Sequence, residues 1–290
     1  MEVIRIRPAR VEDLAETAKW MRESNRLTDK ELLEIYLRVY HNGVFVAVDN
    51  SDRPLGLSIW CALNPYLGVG TKVIIRNDME NRGIGKQLIA ASKKCLGDRN
   101  IMVNSYDSAI GFWDKCGFQH EGCAFGVYRG IVNKAVNLRP IFQDGQISVG
   151  NLCHMDKVIA YDEAITGYKG YHREQFLLEC IRRDSDFILI ANMDENICGY
   201  LIVRKITDVF LVAPFMANTN AMANSLFYEM VQRLPKNSNI QMYVTEQAPH
   251  AIQYILEQYQ IPKIRVGRAL FTKGVISLPG MDTLLTSVPF

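Results

Sequence analysis

The sequence lacks most features that would carry a chain out of the cell or into a bilayer. No two cysteines have C-x-x-C spacing, and no Asn-x-Ser/Thr sequon occurs in 290 residues. The seven cysteines, at positions 61, 95, 116, 123, 153, 180 and 198, are odd in number, and most of them read as small buried hydrophobes. Five histidines stand singly, so no zinc-binding spacing is present. The longest apolar run, Val209 to Ala217, contains Pro214 and falls far short of the ~18 residues of a membrane span. Met1 to Arg7 alternates apolar and charged residues and has no signal-peptide core. Charge of one sign is missing too: 33 Lys+Arg stand against 31 Asp+Glu, a net charge of +2. Non-specific nucleic-acid binding needs a dense basic stripe that such a balance does not supply. These absences predict a cytoplasmic globular protein with neither a nucleic acid nor a membrane as partner. The sequence carries no signature of an oligomeric state.

What is present is an apolar content of 48% over a length that suits two domains. Strand and helix patterns alternate through the first 130 residues. Val3 to Arg7 has a period of two, and Val11 opens a helix with Leu14, Ala18 and Met21 on one face. Leu32, Leu33, Tyr36 and Val39 repeat at helical spacing. Val44–Val48 and Leu55–Trp60 flank a polar hairpin turn, and Thr71–Arg76 is a further strand. Regularity lapses between Asn133 and Gly150, near Pro140, Gly145 and Gly150. The expected division is a unit over 1–135, a linker over 136–150 and a second unit over 151–290. The second unit repeats the first at an offset of about 142 residues: Phe187–Ala191 and Gly199–Val203 flank another polar turn, and Ala251-Ile252-Gln253-Tyr254 matches Ala109-Ile110-Gly111-Phe112.

The segment with most chemical content runs from Val73 to Ile89: a strand, the turn Arg82-Gly83-Ile84-Gly85-Lys86, then an amphipathic helix. Backbone N–H groups at such a helix start can hold a phosphate, and glycines let it approach closely. The third glycine of a dinucleotide fingerprint is missing, and so is the Lys-Ser/Thr of a P-loop, because Gln87 and Leu88 follow Lys86.

This turn, with Ala109-Ile110-Gly111-Phe112-Trp113-Asp114-Lys115-Cys116-Gly117-Phe118 after it, resembles the GNAT superfamily of acetyl-CoA-dependent acetyltransferases. The likeness covers residues 3–130, and the whole chain resembles two-domain members with a diverged second unit. It implies an α/β (α+β) fold in which a mixed, mostly antiparallel sheet is flanked by helices, duplicated in tandem. It also implies that the backbone of Ile74 and Ile75 pairs with the pantetheine arm of acetyl-CoA. Arg76, Asn81, Arg82, Gly83, Ile84, Gly85 and Lys86 would then surround its pyrophosphate. The N–H of Ile75 would polarise the acetyl carbonyl.

Three residues depart from the family pattern. Glu80 stands where Arg or Gln is usual, with Arg76, Arg82 and Lys86 as its counterweights. Tyr106 takes the place of an asparagine. Trp113 replaces the tyrosine that in many members protonates the departing thiolate, and an indole cannot serve as an acid. Tyr106 is the substitute acid, and Trp113 reads as a core aromatic. Asp78, Asp107, His120 and Glu121 are candidate bases. Tyr161–Glu163 and Gly167–Tyr171 are candidate walls of the acceptor cleft. No Gly-x-Gly follows the strand at Asp208–Val212, so a single CoA site is expected. The reading is an N-acetyltransferase moving acetyl from acetyl-CoA to a small-molecule amine in a ternary complex. The alternative is a catalytically silent GNAT-fold protein that binds CoA or a protein partner.

Overall fold

The computed structural model describes residues 4–134, 145–168, 170–277 and 284–286. The first half runs β1 (Arg5–Pro8), α1 (Val11–Glu23), α2 (Lys30–Val39), β2 (Val44–Val48), β3 (Pro54–Ala62), β4 (Leu67–Ile75), α3 (Ile84–Leu96), β5 (Asn100–Tyr106), α4 (Ile110–Asp114) and β6 (His120–Ile131). The second half repeats that order with β7 (Gln146–Gly150), α5 (Met155–Thr166), α6 (Arg173–Glu179), β8 (Phe187–Met193), β9 (Asn196–Ile206), β10 (Val209–Ala217), α7 (Asn220–Arg233), β11 (Asn239–Thr245), α8 (His250–Gln258) and β12 (Lys263–Phe271). A short strand, β13 (Leu284–Thr286), follows.

Local chemistry fixes the elements. Asp29 caps α2 by accepting a 2.7 Å bond from the Leu32 N–H, and Leu32, Leu33, Tyr36 and Val39 are buried along that helix as their spacing predicts. Asp49 closes the β2–β3 turn by accepting from the N–H groups of Ser51 and Arg53. The repeat is visible in single residues. Gly56 lies opposite Ile75, and Gly199 lies opposite Ala217. A Cβ on Gly56 would stand 2.9 Å from the Ile74 carbonyl oxygen, and one on Gly199 3.0 Å from that of Met216. Both halves need glycine at this point because a neighbouring carbonyl crowds it.

The described strands form one mixed, mostly antiparallel sheet in the order β1-β2-β3-β4-β5-β12-β6-β11-β10-β9-β8-β7, with β13 attached to β10. Its centre is an exchange. β12 of the second half lies between β5 and β6 of the first, and β6 lies between β12 and β11. The expected units 1–135 and 151–290 therefore interlock, each placing its last long strand against the other's sheet. Gln146–Gly150, inside the expected linker, is a strand paired with β8; residues 136–144 of that linker lie outside the described residues.

Helices α1, α2, α5 and α6 share one core face, which carries Leu14, Leu33, Val158 and Phe176. Helices α3 and α4 pack on the other face in smaller clusters around Leu88 and Trp113, and α7 and α8 cover it in the second half. The halves also meet through α2 and α6, where Tyr36 and Tyr40 contact Phe176 at 5.8 and 6.1 Å between ring centres. Arg38 pairs with Glu179 at 2.9 Å across the same seam. Among the described residues no helix is long and apolar enough to cross a membrane.

Candidate active site

The site begins where two parallel strands part. β4 pairs with β5 only along Leu67–Gly70 and Asn100–Val103. Trp60 faces Gly70 while Ile59 faces Lys72, so Thr71 is an extra, bulged residue that turns β4 away. Past the bulge the sheet opens onto two hollows. One runs along Val73–Ile75 to the start of α3, and the other is a cavity of about 120 Å³ among Lys72, Tyr106 and Tyr243.

At the first hollow, Gly83 is the residue before α3 and has a left-handed φ of 78° with no side-chain cap. The first intrahelical bond reaches back from the Gln87 N–H to the Gly83 carbonyl, at 3.2 Å. The N–H groups of Ile84, Gly85 and Lys86 thus have no carbonyl within the helix to pair with. Gly83, Ile84, Gly85, Lys86 and Asn81 all line this hollow. A Cβ on Gly83 would meet nothing, and one on Gly85 would come 3.2 Å from the Phe112 ring. The turn offers helix-start N–H groups with open space beside Gly83, a setting that a phosphate group would fit. Glu80 also lines it. Of the cations expected to offset Glu80, Arg82 and Lys86 are exposed. Arg76 is instead engaged with Asp78 through bonds of 2.6 and 3.0 Å.

Main-chain direction separates Ile74 from Ile75. The Arg76 N–H donates to the Leu55 carbonyl on the β3 side. The Val73 carbonyl accepts a 2.6 Å bond from Arg26 Nη1. Alternation along the strand puts the backbone of Val73 and Ile75 on the open edge and that of Ile74 toward β3. Ile75 presents its backbone to the gap; Ile74 contributes a buried side chain.

The cavity collects residues from both halves. Tyr106 ends β5, half-buried, with the Arg265 guanidinium of β12 lying 4.5 Å from its ring centre and Phe125 at 6.1 Å. Its hydroxyl has no hydrogen-bond partner among the described residues. Tyr243 comes from β11. Gln241 Nε2 donates to the Tyr243 hydroxyl at 2.8 Å while Arg129 Nε donates to Gln241 Oε1 at 2.7 Å. That relay fixes the amide and leaves the phenol proton of Tyr243 free to donate. Burial pushes the Tyr243 phenol above its ordinary range. Lys72 is 7% exposed, and burial followed by repulsion from Arg26 takes its amine down to about 8. Burial also lowers Arg26, which lines both hollows.

Trp113 is buried against Trp60 and Phe118 at 6.3 and 5.2 Å between ring centres, a core aromatic as its position predicts. Among the expected bases, Asp78 is tied to Arg76, Glu121 to Arg268 at 2.5 Å, and His120 is exposed. None of the three lines either hollow; Asp107 lines a neighbouring one beside Tyr106 and Arg265. The expected cleft walls lie elsewhere. Asp162 is buried under Arg173 at 2.8 Å, Tyr161 donates to Asn218 at 2.7 Å, and Tyr168 is buried. Lys169 is outside the described residues. The second half instead reaches the cavity through Tyr243 and Thr245. One signal was available in sequence: Lys72 is the lone charge in the apolar strand Leu67–Ile75.

In the second half, the place of Val73 and Ile74 belongs to Phe215 and Met216. There β13 pairs with β10, Phe215 facing Thr286 and Met216 facing Leu284. The chain's own backbone lies along the edge that stays open in the first half.

A sheet split between parallel strands, with a helix start at one end of the split, is the frame that both halves share. Family models described as acetyltransferase (GNAT) domains match residues 40–120 and 158–274. The chain belongs to the GNAT acetyltransferases, with two such domains in tandem. Its fold is similar to that of an acetyltransferase candidate from Pyrococcus horikoshii, with TM-score 0.70 and 15% identity over 97% of this chain and 92% of that one. A tandem GNAT protein from the clavulanic acid biosynthesis pathway has TM-score 0.65 and 12% identity, covering 93% of this chain and 98% of its own. A GCN5-related N-acetyltransferase from Sphaerobacter thermophilus has TM-score 0.59 and 9% identity over 92% and 95%. At these identities the likeness concerns fold. A search of curated proteins finds no matching sequence.

Proposed function

We propose that the protein is a cytoplasmic N-acetyltransferase that moves acetyl from acetyl-CoA to the amine of a small molecule in a ternary complex. The observation that carries this reading is the continuity of the two hollows, which share Arg26, Val73, Ala109 and Trp113. An anion cradle stands at one end and a small cavity with two phenols at the other. When bound, acetyl-CoA supplies the thioester: the acceptor nitrogen forms the C–N bond, the C–S bond breaks with its electron pair on sulfur, and the nitrogen's proton finishes on that sulfur. The residues then have separable tasks. The N–H groups of Ile84 to Lys86 hold the pyrophosphate, and the Ile75 N–H faces the acetyl carbonyl as an oxyanion donor. Tyr106 delivers the proton to the thiolate, a role that Trp113 cannot fill.

The acceptor must present a neutral amine, since an ammonium has no lone pair to attack with. Arg26 and Lys72 favour its deprotonation by repelling an ammonium beside them, which lessens the work of a dedicated base. One observation favours a silent CoA-binding protein instead: among the described residues, no Asp, Glu or His lines the cavity. Turnover separates the two readings. Amine-dependent release of free CoA from acetyl-CoA, followed across a panel of small amines, supports the enzyme. Firm CoA binding with no release for any amine supports the binder.

A further inference from the structure

We propose that the acceptor carries a carboxylate beside its amine, and that Lys72 and Arg26 bind that carboxylate. This deepens the acetyltransferase reading and rests on it. The argument begins with charge. Lys72 is 7% exposed and lines the cavity, yet its ammonium has no hydrogen-bond or ion-pair partner among the described residues. Buried cations are ordinarily paired, and an unpaired one raises the question of what pairs it. Arg26 does not supply an anion; it adds a second positive charge that lowers the Lys72 amine further. Among the described residues, the one hydrogen bond Arg26 makes through its side chain goes to the neutral Val73 carbonyl. Arg265 adds repulsion at Arg26, and Glu80, in the cofactor hollow, makes no ion pair with it among the described residues. The cavity is therefore left positive.

The pyrophosphate does not answer this charge. Its cradle at Gly83–Lys86 lines the other hollow, and Lys72 does not line that one. A simple alkylammonium does not answer it either, because two cations would repel it. An amine bearing a carboxylate fits on both counts. The carboxylate neutralises Lys72, and the amine, held near the residual positive charge, gives up its proton more readily. At about 120 Å³ the cavity suits an amino-acid-sized acceptor.

The test uses the full chain saturated with CoA or acetyl-CoA. Probes are L-alanine, L-methionine and L-phenylalanine, each matched with the amine lacking its carboxylate: ethylamine, 3-methylthiopropylamine and phenethylamine. Binding to the CoA-loaded protein is read by calorimetry, and acetyl transfer by product formation. At least one carboxylate acceptor should bind about tenfold or more tightly than its matched amine. Lys72→Met should raise Kd and KM for that acceptor by a similar factor and collapse its preference over the matched amine, with CoA affinity retained. Lys72→Arg should restore most of the preference. Equal binding of acids and amines, or no binding of any acid, overturns the proposal even if amines are acetylated. A fall in kcat with unchanged KM for both sets also overturns it, since Lys72 would then be acting as a base. Binding of the acid that depends on Lys72, with no product formed, keeps the anion site and sinks the acetyltransferase reading instead.

Discussion

The guanidinium of Arg265, a residue of the second half, lies 4.5 Å from the centre of the Tyr106 ring in the first. Gly267, two residues on, is the partner of Tyr106 across the β5–β12 ladder. A Cβ there would sit 2.4 Å from the Ser105 carbonyl oxygen and 2.6 Å from the Phe125 ring. The exchanged strand thus backs Tyr106 from behind the cavity, and its glycine lets it close against Ser105 and Phe125.

Tyr106→Phe should lower kcat by about 10²-fold or more, the usual scale of general acid catalysis, and leave CoA affinity unchanged. Tyr243→Phe should cost less: both phenols line the cavity, but burial raises that of Tyr243 and makes it the weaker acid. Steady-state kinetics on both variants decides which phenol serves. Unaltered kcat in Tyr106→Phe removes it from the catalytic set.

Gly83→Glu should abolish CoA binding. Acetyl-CoA at 100 times its Kd should stabilise the parent by roughly 2.7 kcal/mol, readable as a rise in Tm. The variant should lose that rise while its unliganded Tm drops only modestly. The space around Gly83 is open, and the cost comes from its left-handed φ of 78°. A parent that shows no shift with millimolar acetyl-CoA would contradict the cradle.

Trp113→Tyr should give kcat equal to or above the parent's, together with a loss of about 1–2 kcal/mol in stability. Trp113 is packed between Trp60 and Phe118, and a smaller ring leaves part of that space empty. Denaturant melts and kinetics on the same preparation test both halves of the statement.

Calorimetry with CoA should give one site per chain. β13 lies along Phe215 and Met216, and the N-terminus of α7 is capped by Thr219, which accepts from Met222 N–H at 3.2 Å. Two equivalent sites would overturn this.

Lys72→Met should raise the Tm of the unliganded protein at pH 7. The sign follows from the lowered amine. Between pH 8 and the unfolded value of about 10.5, the unfolded chain binds more protons at this position than the folded one, so stability rises with pH there. Below pH 8 the folded state carries the full cost of the buried charge. The advantage of Lys72→Met should therefore be largest at pH 7 and shrink toward pH 10. An advantage that stays constant with pH would show that the folded protein does not shift this amine.

Much of this was legible in the chain itself. Periodicity placed α2, because the spacing of Leu32 to Val39 acts within one helix. Gly83 was readable for the same reason, because its turn depends on neighbours near in sequence, and the repeat because each half carries its own local patterns. Tertiary structure alone decided the rest. Which backbone edge of β4 faces the gap depends on the pairing with β3, and this sets Ile75 apart from Ile74. The cavity needs Arg26, Lys72, Tyr106 and Tyr243, which come from well-separated stretches of chain. Nothing in local sequence states that β12 will seat beside β5, because any strand edge offers the same N–H and C=O groups. The choice falls to long-range packing, such as Gly267 fitting under Ser105 and Phe125 and Leu270 joining Trp60 and Trp113 in one core.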